Sequence, residues 1–141
     1  MKTALIFPGQ GSQYIKMGLD FYESYSESKE IYNQLDHTLG RDLTNLIFYG
    51  NESELSETQN SQPAIMATSV AIFKALLSEN LLPEGSFQAV AGHSLGEYSA
   101  LVANGGISFN DSVRLLKIRS KAMQDSMPVG TGGMIALIGC E

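Results

Sequence analysis

Hydrophobic positions along the chain follow two patterns: short continuous runs and longer stripes at helical spacing. The short runs are typical of buried strands and lie at residues 3–7, 87–91 and 134–138. The stripes predict helices over residues 20–39, 62–80, 97–103 and 111–126. Residues 41–60 are polar and predict a mixture of short helices and loops. Because strands alternate with helices, the pattern predicts an α/β fold with a mainly parallel sheet and flanking helices.

Glycine, proline and capping residues indicate where these helices begin and end. Gly40 suits the end of the first long helix, and Pro63 suits the first turn of the second. Asn104, Gly105 and Gly106 stop the short helix that follows residue 97, and Asn110 or Asp111 is expected to cap the last one.

Composition is that of an ordinary globular domain. The 141 residues are 43% hydrophobic and 17% charged, and nine basic against fifteen acidic residues give a net charge of −6. This length allows one domain with a substantial core. General nucleic-acid binding is disfavoured, because affinity for phosphates needs clustered lysine and arginine. The single cysteine, Cys140, excludes an intrachain disulfide framework and a cysteine-based zinc site.

The apolar runs are too short for an export signal or a membrane helix. The N-terminal run Ala4–Phe7 is broken by Pro8. The longest later run, residues 64–73, contains Thr68 and Ser69 and falls short of the roughly 20 residues that span a bilayer. We therefore expect a cytoplasmic protein with no membrane partner.

The most specific sequence feature is GHSLG at residues 92–96. It matches the nucleophile-elbow pattern G-x-S-x-G, and the expected strand precedes it and the expected helix follows. In such a turn the central serine, here Ser94, is strained and exposed, and the flanking glycines avoid Cβ clashes. Backbone N–H groups at the start of the helix add positive potential near the reacting oxygen. The alternative is a tight glycine turn without a chemical role.

Arg119 is the second candidate. Helical spacing places it on the same face as Leu115, Leu116 and Met123. A guanidinium on an apolar face needs a partner, and its planar fork suits a carboxylate. The alternative is an arginine whose head group reaches solvent or a structural ion pair.

Four segments together carry a family resemblance: FPGQGSQ at residues 7–13, SQPA at 61–64, GHSLGEYSA at 92–100 and LLKIRSKAMQ at 115–124. In this order and at these separations they resemble the malonyl-CoA:acyl-carrier-protein transacylases and the related acyltransferase domains of polyketide synthases. The resemblance extends from residue 3 to residue 141.

The resemblance implies roles for five residues. Ser94 resembles the serine that accepts the acyl group from coenzyme A, and Arg119 resembles the arginine that holds the free carboxylate of the malonyl unit. Gln10 and Leu95 resemble the positions whose backbone N–H groups form the oxyanion hole. Gln62 matches a glutamine that lines the same site. The implied reaction moves malonyl from malonyl-CoA to the phosphopantetheine thiol of acyl-carrier protein through a malonyl-serine ester, in fatty-acid synthesis, without a cofactor or metal.

The resemblance also implies a division of the chain. Residues 1–127 would belong to a large hydrolase-like α/β subdomain, and residues 128–141 would begin a small ferredoxin-like subdomain, with its first strand at 134–138. Elbow enzymes place a catalytic histidine after the serine, yet residues 95–141 contain none. We expect the sequence to be the N-terminal part of a longer enzyme, inactive in isolation, for which a complementary C-terminal chain would be a further partner.

Three other functions fit the same residues. A polyketide-type acyltransferase would use the same chemistry in another pathway. A serine esterase would use the elbow with water as acceptor, although it has no use for a carboxylate clamp such as Arg119. A non-catalytic fragment would only bind acyl-carrier protein or a complementary chain, and the missing histidine favours it for the isolated sequence.

The remaining chemically interesting side chains are expected to be structural. His93, adjacent to Ser94, should point away from it, and His37 should be solvated. Glu97 is expected to be a favourable charge at a helix N-terminus. Three methionines are expected in the core: Met66, Met123 and Met127. Cys140 is expected to be a structural or incidental residue.

Overall fold

The computed structural model describes residues 3–83, 85–127, 130–132, 137 and 139. Their strands and helices, in chain order, are β1 Ala4–Phe7, α1 Leu19–Ser24, α2 Ser26–Leu39, α3 Leu43–Tyr49, α4 Glu52–Ser56, α5 Thr58–Ser78, β2 Ala89–Gly92, α6 Gly96–Ala103 and α7 Phe109–Ser126. The predicted α/β class is confirmed by this order. The predicted strand over residues 134–138 lies outside the described residues apart from Leu137, so the ferredoxin-like subdomain and the division at residue 127 stay predictions.

The two strands form a parallel pair, as the sequence predicted. Ala4 pairs with Ala89, and the register continues to Phe7 opposite Gly92. The backbone N–H of His93 then donates to the Phe7 carbonyl at 3.0 Å. Because both strands run in the same direction, the loop after β1 and the turn after β2 leave the sheet at the same edge.

The hydrophobic core lies among the helices, with α5 packed against α2, α6 and α7. Tyr32 is fully buried there; its hydroxyl donates to the Met17 carbonyl at 3.2 Å and lies 3.0 Å from Thr68 Oγ1. Burial raises the pKa of Tyr32 well above its ordinary range, so the phenol stays neutral. The other large, fully buried side chains include Leu35, Leu43, Ile47, Leu55, Met66, Val70, Leu95, Val113 and Leu116. In the described part of the chain, none of the helices has both the length and the apolar character needed to cross a bilayer.

The continuous helix predicted over residues 20–39 is wrong, because the structure breaks it at Tyr25. Tyr25 is extended, with φ −127° and ψ 122°, and it separates α1 from α2. Its N–H donates to the Phe21 carbonyl and its own carbonyl accepts from Lys29, so it closes one helix and opens the next. Gly40 ends α2 as predicted, with φ 70° and its N–H donating to Asp36 at 2.9 Å.

Helix α5 begins earlier than predicted, at Thr58, so Pro63 lies inside the helix and not in its first turn. A proline has no N–H to give to the carbonyl four residues before it, which is that of Gln59. Nη2 of Arg41 donates to that carbonyl instead, at 3.1 Å. The side chain of Arg41, from the loop between α2 and α3, therefore satisfies the acceptor that Pro63 leaves open.

The cap of α7 is Ser108, not Asn110 or Asp111 as predicted. Ser108 Oγ accepts from the N–H of Asp111 at 3.1 Å and donates to the Asp111 carboxylate at 2.7 Å. Arg114 Nη1 also lies 2.7 Å from that carboxylate. The hydrogen bond from Ser108, followed by the hydrogen bond from Arg114, lowers the pKa of Asp111.

Candidate functional site

The turn between β2 and α6 holds Ser94 in a strained backbone conformation. Ser94 has φ 55°, in the left-handed region that non-glycine residues seldom occupy, and its side chain is exposed. The turn is closed by two hydrogen bonds, from Gly96 N–H to the His93 carbonyl at 2.9 Å and from Glu97 N–H to the Ser94 carbonyl at 3.2 Å. Strain of this kind costs about 1–3 kcal/mol and persists only where neighbouring structure enforces it.

The glycines on either side of Ser94 are required by close backbone packing. A Cβ on Gly92 would overlap the backbone of Gly96 and Glu97. A Cβ on Gly96 would overlap the Phe7 carbonyl oxygen and lie 2.7 Å from that of Pro8. The absence of side chains thus lets the start of α6 press against the end of β1, as the elbow pattern predicted.

Two backbone N–H groups lie at this edge of the sheet, one after each strand. Gln10 follows β1 and Leu95 precedes α6, and within the described ranges neither N–H has an acceptor. The Gln10 side chain is engaged elsewhere, with Nε2 donating to Thr58 Oγ1 at 3.3 Å. The Leu95 side chain is fully buried. The backbone N–H groups of Gln10 and Leu95 are therefore available to a ligand, whereas their side chains are not.

Arg119 joins Ser94 to Gln62. Its Nη2 donates to Ser94 Oγ at 3.0 Å, and its Nη1 donates to Gln62 Oε1 at 2.6 Å. The structure thus brings together three of the residues selected from the sequence, although they come from α5, the elbow and α7. Gln62 is fully buried, whereas Arg119 is partly buried and Ser94 is exposed.

Arg119 lacks a carboxylate partner among the described residues. The two salt bridges found in that part of the chain, Arg114 with Asp111 and Lys121 with Asp125, are both exposed pairs within α7. The partners of Arg119 are the neutral Gln62 and Ser94. A guanidinium that has no anionic neighbour and lies beside an exposed serine is suited to binding an anionic ligand.

The expectation that Arg119 lies on an apolar face holds only in part. Leu116 is buried, but Leu115 is 43% exposed and Met123 is 36% exposed. Met123 is also not the core residue that the sequence predicted, since its Sδ accepts a hydrogen bond from Gln62 Nε2 at 3.3 Å. Sequence reasoning missed this contact, although the spacing of Met123 one helical turn after Arg119 is a signal that could have revealed it.

The other described residues with expected structural roles contribute no side chain to the contacts of Ser94, Gln62 and Arg119. His93 is exposed and its ring lies beside Gly9, since a Cβ on Gly9 would be 2.5 Å from His93 Nδ1. His37 is exposed on α2, and Glu97 is exposed in the first turn of α6. Met66 is buried as predicted, but Met127 is 51% exposed and is not a core residue. Cys140 lies outside the described residues.

A family model described as the acyl transferase domain matches residues 4–139. The chain belongs to the acyl transferase domain family. The family resemblance carried by the four sequence segments is therefore confirmed.

Two curated relatives match almost all of this chain and are longer than it. The malonyl CoA-acyl carrier protein transacylase of Bacillus subtilis is 43% identical over 140 residues, which cover 99% of this chain and 43% of that protein. The protein of the same name from Escherichia coli K12 is 44% identical over 139 residues, which cover 98% of this chain and 44% of the relative. The chain thus spans less than half the length of these relatives.

Two solved structures superpose closely on this chain. An acyl-carrier-protein-S-malonyltransferase from Bartonella henselae superposes with a TM-score of 0.88 at 44% identity, covering 92% of this chain and 41% of that one. A complex of a type II PKS acyl-carrier protein with its malonyl-transacylase gives a TM-score of 0.84 at 39% identity, with 91% and 40% covered. The arrangement of β1, the elbow and the surrounding helices is therefore shared with part of these two solved structures.

Proposed function

We propose that the protein transfers a malonyl group from malonyl-CoA to the phosphopantetheine thiol of acyl-carrier protein, in fatty-acid biosynthesis. The observation that carries this proposal is the contact of Arg119 Nη2 with Ser94 Oγ at 3.0 Å. It places a fixed cation beside the candidate nucleophile. The names of the relatives from Bacillus subtilis and Escherichia coli support the same substrate and acceptor.

In the first step, Ser94 Oγ attacks the thioester carbonyl of malonyl-CoA while a general base takes the hydroxyl proton. The bond from Oγ to the carbonyl carbon forms, and the negative charge moves to the carbonyl oxygen. We assign the stabilisation of this oxyanion to the backbone N–H groups of Gln10 and Leu95, which lack acceptors among the described residues. Collapse breaks the carbon–sulfur bond, and the coenzyme A thiolate takes the proton from the base.

In the second step, the thiol of acyl-carrier protein attacks the malonyl-serine ester with help from the same base. The new thioester forms, the bond to Oγ breaks, and the serine hydroxyl is restored. The solved complex of an acyl-carrier protein with its malonyl-transacylase supports such a partner.

Among the described residues, no candidate general base forms a hydrogen bond with Ser94 Oγ, whose side-chain partner is Arg119. The 141 residues contain two histidines, His37 and His93, and neither forms a hydrogen bond with Ser94. The family resemblance assigns the base to a histidine further along the chain. We propose on this ground that the 141 residues alone do not turn over. The family resemblance supports the separate proposal that residues 1–127 and 128–141 belong to different subdomains.

Arg119 is proposed to hold the malonyl carboxylate. In malonyl the carboxylate carbon and the thioester carbonyl carbon are separated by one methylene, about 2.5 Å apart. A carbonyl carbon close enough to react with Ser94 therefore brings the carboxylate to the guanidinium that touches Ser94. Gln62 Oε1 holds the other arm of the guanidinium, which fixes the direction in which the carboxylate is received.

A polyketide-type acyltransferase is the second candidate, because the partner in the solved complex is a type II PKS acyl-carrier protein. It requires the same donor and the same malonyl-serine ester. Parallel transfer assays with fatty-acid and polyketide acyl-carrier proteins would distinguish the two acceptors.

The test of the proposal is to mix the full-length protein with malonyl-CoA in the absence of acyl-carrier protein. We expect a covalent malonyl adduct on Ser94, detected by intact mass spectrometry and located by peptide mapping. Ser94→Ala should form none. An adduct that persists in Ser94→Ala would remove Ser94 from the mechanism.

A further inference from the structure

We propose that Met123 is a positioning residue for malonyl recognition. Its sulfur holds the Gln62 amide in the one orientation that anchors Arg119. This inference rests on the proposed function, because it assigns to Met123 an effect on the malonyl carboxylate.

The geometry forms a chain of three hydrogen bonds that ends at Ser94. Gln62 Nε2 donates to Met123 Sδ at 3.3 Å, Arg119 Nη1 donates to Gln62 Oε1 at 2.6 Å, and Arg119 Nη2 donates to Ser94 Oγ at 3.0 Å. Met123 and Arg119 are four residues apart on α7, so they face Gln62 from the same side of the helix. Gln62 is fully buried between them and the rest of α5.

The orientation of the Gln62 amide determines whether Arg119 has a partner. An amide has an acceptor at one end and donors at the other, whereas a guanidinium has donors only. If the Gln62 amide were flipped, its NH₂ group would face the guanidinium, donor against donor. Arg119 would then lose its anchor, and the direction of Nη2 toward Ser94 would no longer be fixed.

Met123 stabilises the productive orientation because its thioether sulfur accepts a hydrogen bond. Among the described residues, Gln62 Nε2 has no other acceptor. A buried NH₂ group without an acceptor is unfavourable, even though methionine sulfur is itself a weak acceptor. A leucine at this position would fill a similar volume but could not accept a hydrogen bond. The productive orientation of the amide would then be stabilised by Arg119 alone, and the Gln62 NH₂ group would be left without an acceptor.

The decisive variant is Met123→Leu in the full-length protein, with kcat/KM measured for malonyl-CoA and acetyl-CoA. Leaving the buried Gln62 NH₂ group without an acceptor should lower kcat/KM for malonyl-CoA about 5- to 10-fold. The uncharged acetyl group does not use the Arg119 anchor, so its kcat/KM should change less than about 2-fold. Met123→Gln, whose side-chain oxygen accepts a hydrogen bond, should recover much of the malonyl preference.

Two methionines provide matched controls. Met127→Leu removes a sulfur at the end of the same helix, where it accepts from Thr131 Oγ1 and not from Gln62. Met66→Leu makes the same exchange at a fully buried position on α5. Neither should change the ratio of malonyl to acetyl activity by more than about 2-fold. Equal losses with malonyl and acetyl in Met123→Leu, or no loss at all, would overturn the proposal.

A measurement that does not depend on catalysis separates this inference from the proposed function. The side-chain NH₂ signal of Gln62 in a ¹⁵N NMR spectrum should shift in Met123→Leu, and its protons should exchange faster with water. If the wild-type protein transfers no malonyl, the proposed function fails while this readout still tests the contact between Met123 and Gln62. An unchanged Gln62 signal in Met123→Leu would show that the sulfur does not orient the amide.

Discussion

Arg119 Nη2 and Ser94 Oγ lie 3.0 Å apart although 25 positions of the sequence separate the two residues. The elbow fixes one end of this contact through a strained backbone, and the buried Gln62 fixes the other end through Arg119 Nη1. A cation is thus in place before any substrate binds, which reduces the reorganisation that binding requires.

Replacing Arg119 with alanine should lower the activity with malonyl-CoA much more than the activity with acetyl-CoA. Losing one partner of a desolvated charge pair costs about 2–5 kcal/mol, which is about 30-fold or more in kcat/KM for malonyl-CoA. Acetyl-CoA should lose little, because it offers no carboxylate. Arg119→Lys should recover only part of the activity, since lysine lacks the planar fork.

The matched control for this experiment is Arg114→Ala, an arginine on the same helix whose exposed partner is Asp111. It should leave the ratio of the two activities unchanged. Equal losses for malonyl and acetyl in Arg119→Ala would show that Arg119 supports the fold and does not select the acyl group.

The left-handed backbone of Ser94 predicts that the glycine variant at this position is more stable than the alanine variant. Both variants lack the proposed nucleophile and should form no malonyl adduct. At φ 55° glycine is free of the strain that a Cβ causes, so the free energy of unfolding of Ser94→Gly should exceed that of Ser94→Ala by about 1 kcal/mol. Chemical denaturation measures the difference.

The same two substitutions at a helical serine are the control for Ser94→Gly and Ser94→Ala. Ser78 ends α5, and there glycine should be less stable than alanine. If Ser94→Gly were also the less stable variant at the elbow, the left-handed conformation would not be a source of strain.

Adding a methyl group to Gly96 should destabilise the protein by about 1–3 kcal/mol, because the new Cβ would press on the Phe7 and Pro8 carbonyls. Gly92→Ala should behave in the same way against the backbone of Gly96 and Glu97. Gly106→Ala is the control, since its Cβ would lie 3.5 Å from Leu101 in ordinary contact. Thermal unfolding should show a lower Tm for Gly96→Ala and Gly92→Ala than for Gly106→Ala. A Gly96→Ala protein as stable as Gly106→Ala would contradict this prediction.

The Asp111 carboxylate predicts a loss of stability in acid. Hydrogen bonds from Ser108 and Arg114 lower the pKa of this carboxylate in the folded state. Its ionised form therefore adds to the free energy of unfolding above about pH 4, and this contribution is lost as the pH falls through the folded pKa. Asp111→Asn should therefore unfold at a lower temperature than wild type at neutral pH. The difference should shrink at pH 3 and below, and a constant difference across the range would exclude this cause.

Much of the elbow was predictable because its determinants are local. The glycines, the preceding apolar run and the following helix all lie within residues 87–103, so sequence pattern alone predicts the turn. The break at Tyr25 was not predictable, because the apolar spacing continues across it and the local hydrogen bonds that close α1 involve backbone atoms only.

The side-chain contacts of the site depend on tertiary packing, which the sequence pattern does not contain. The contact between Gln62 and Arg119 was anticipated only through the family resemblance. That between Gln62 and Met123 was missed, because a methionine on an apolar stripe is usually a core residue. The early start of α5 was missed for a related reason: Asn60 is polar in sequence but buried in the structure, where its Nδ2 donates to the Glu54 carbonyl at 2.8 Å.

The contact of Gly96 with the Phe7 and Pro8 carbonyls ties the elbow to β1 through main-chain atoms alone. The side chains proposed to choose the acyl group, Gln62 and Arg119, are supplied instead by α5 and α7. Substitutions on these two helices can then change the acyl-group preference among related proteins, while the elbow and its contact with β1 stay unchanged. For an engineer, a library at Gln62 and Arg119 would vary the side chains proposed to choose the acyl group and leave the glycine packing of the elbow unchanged.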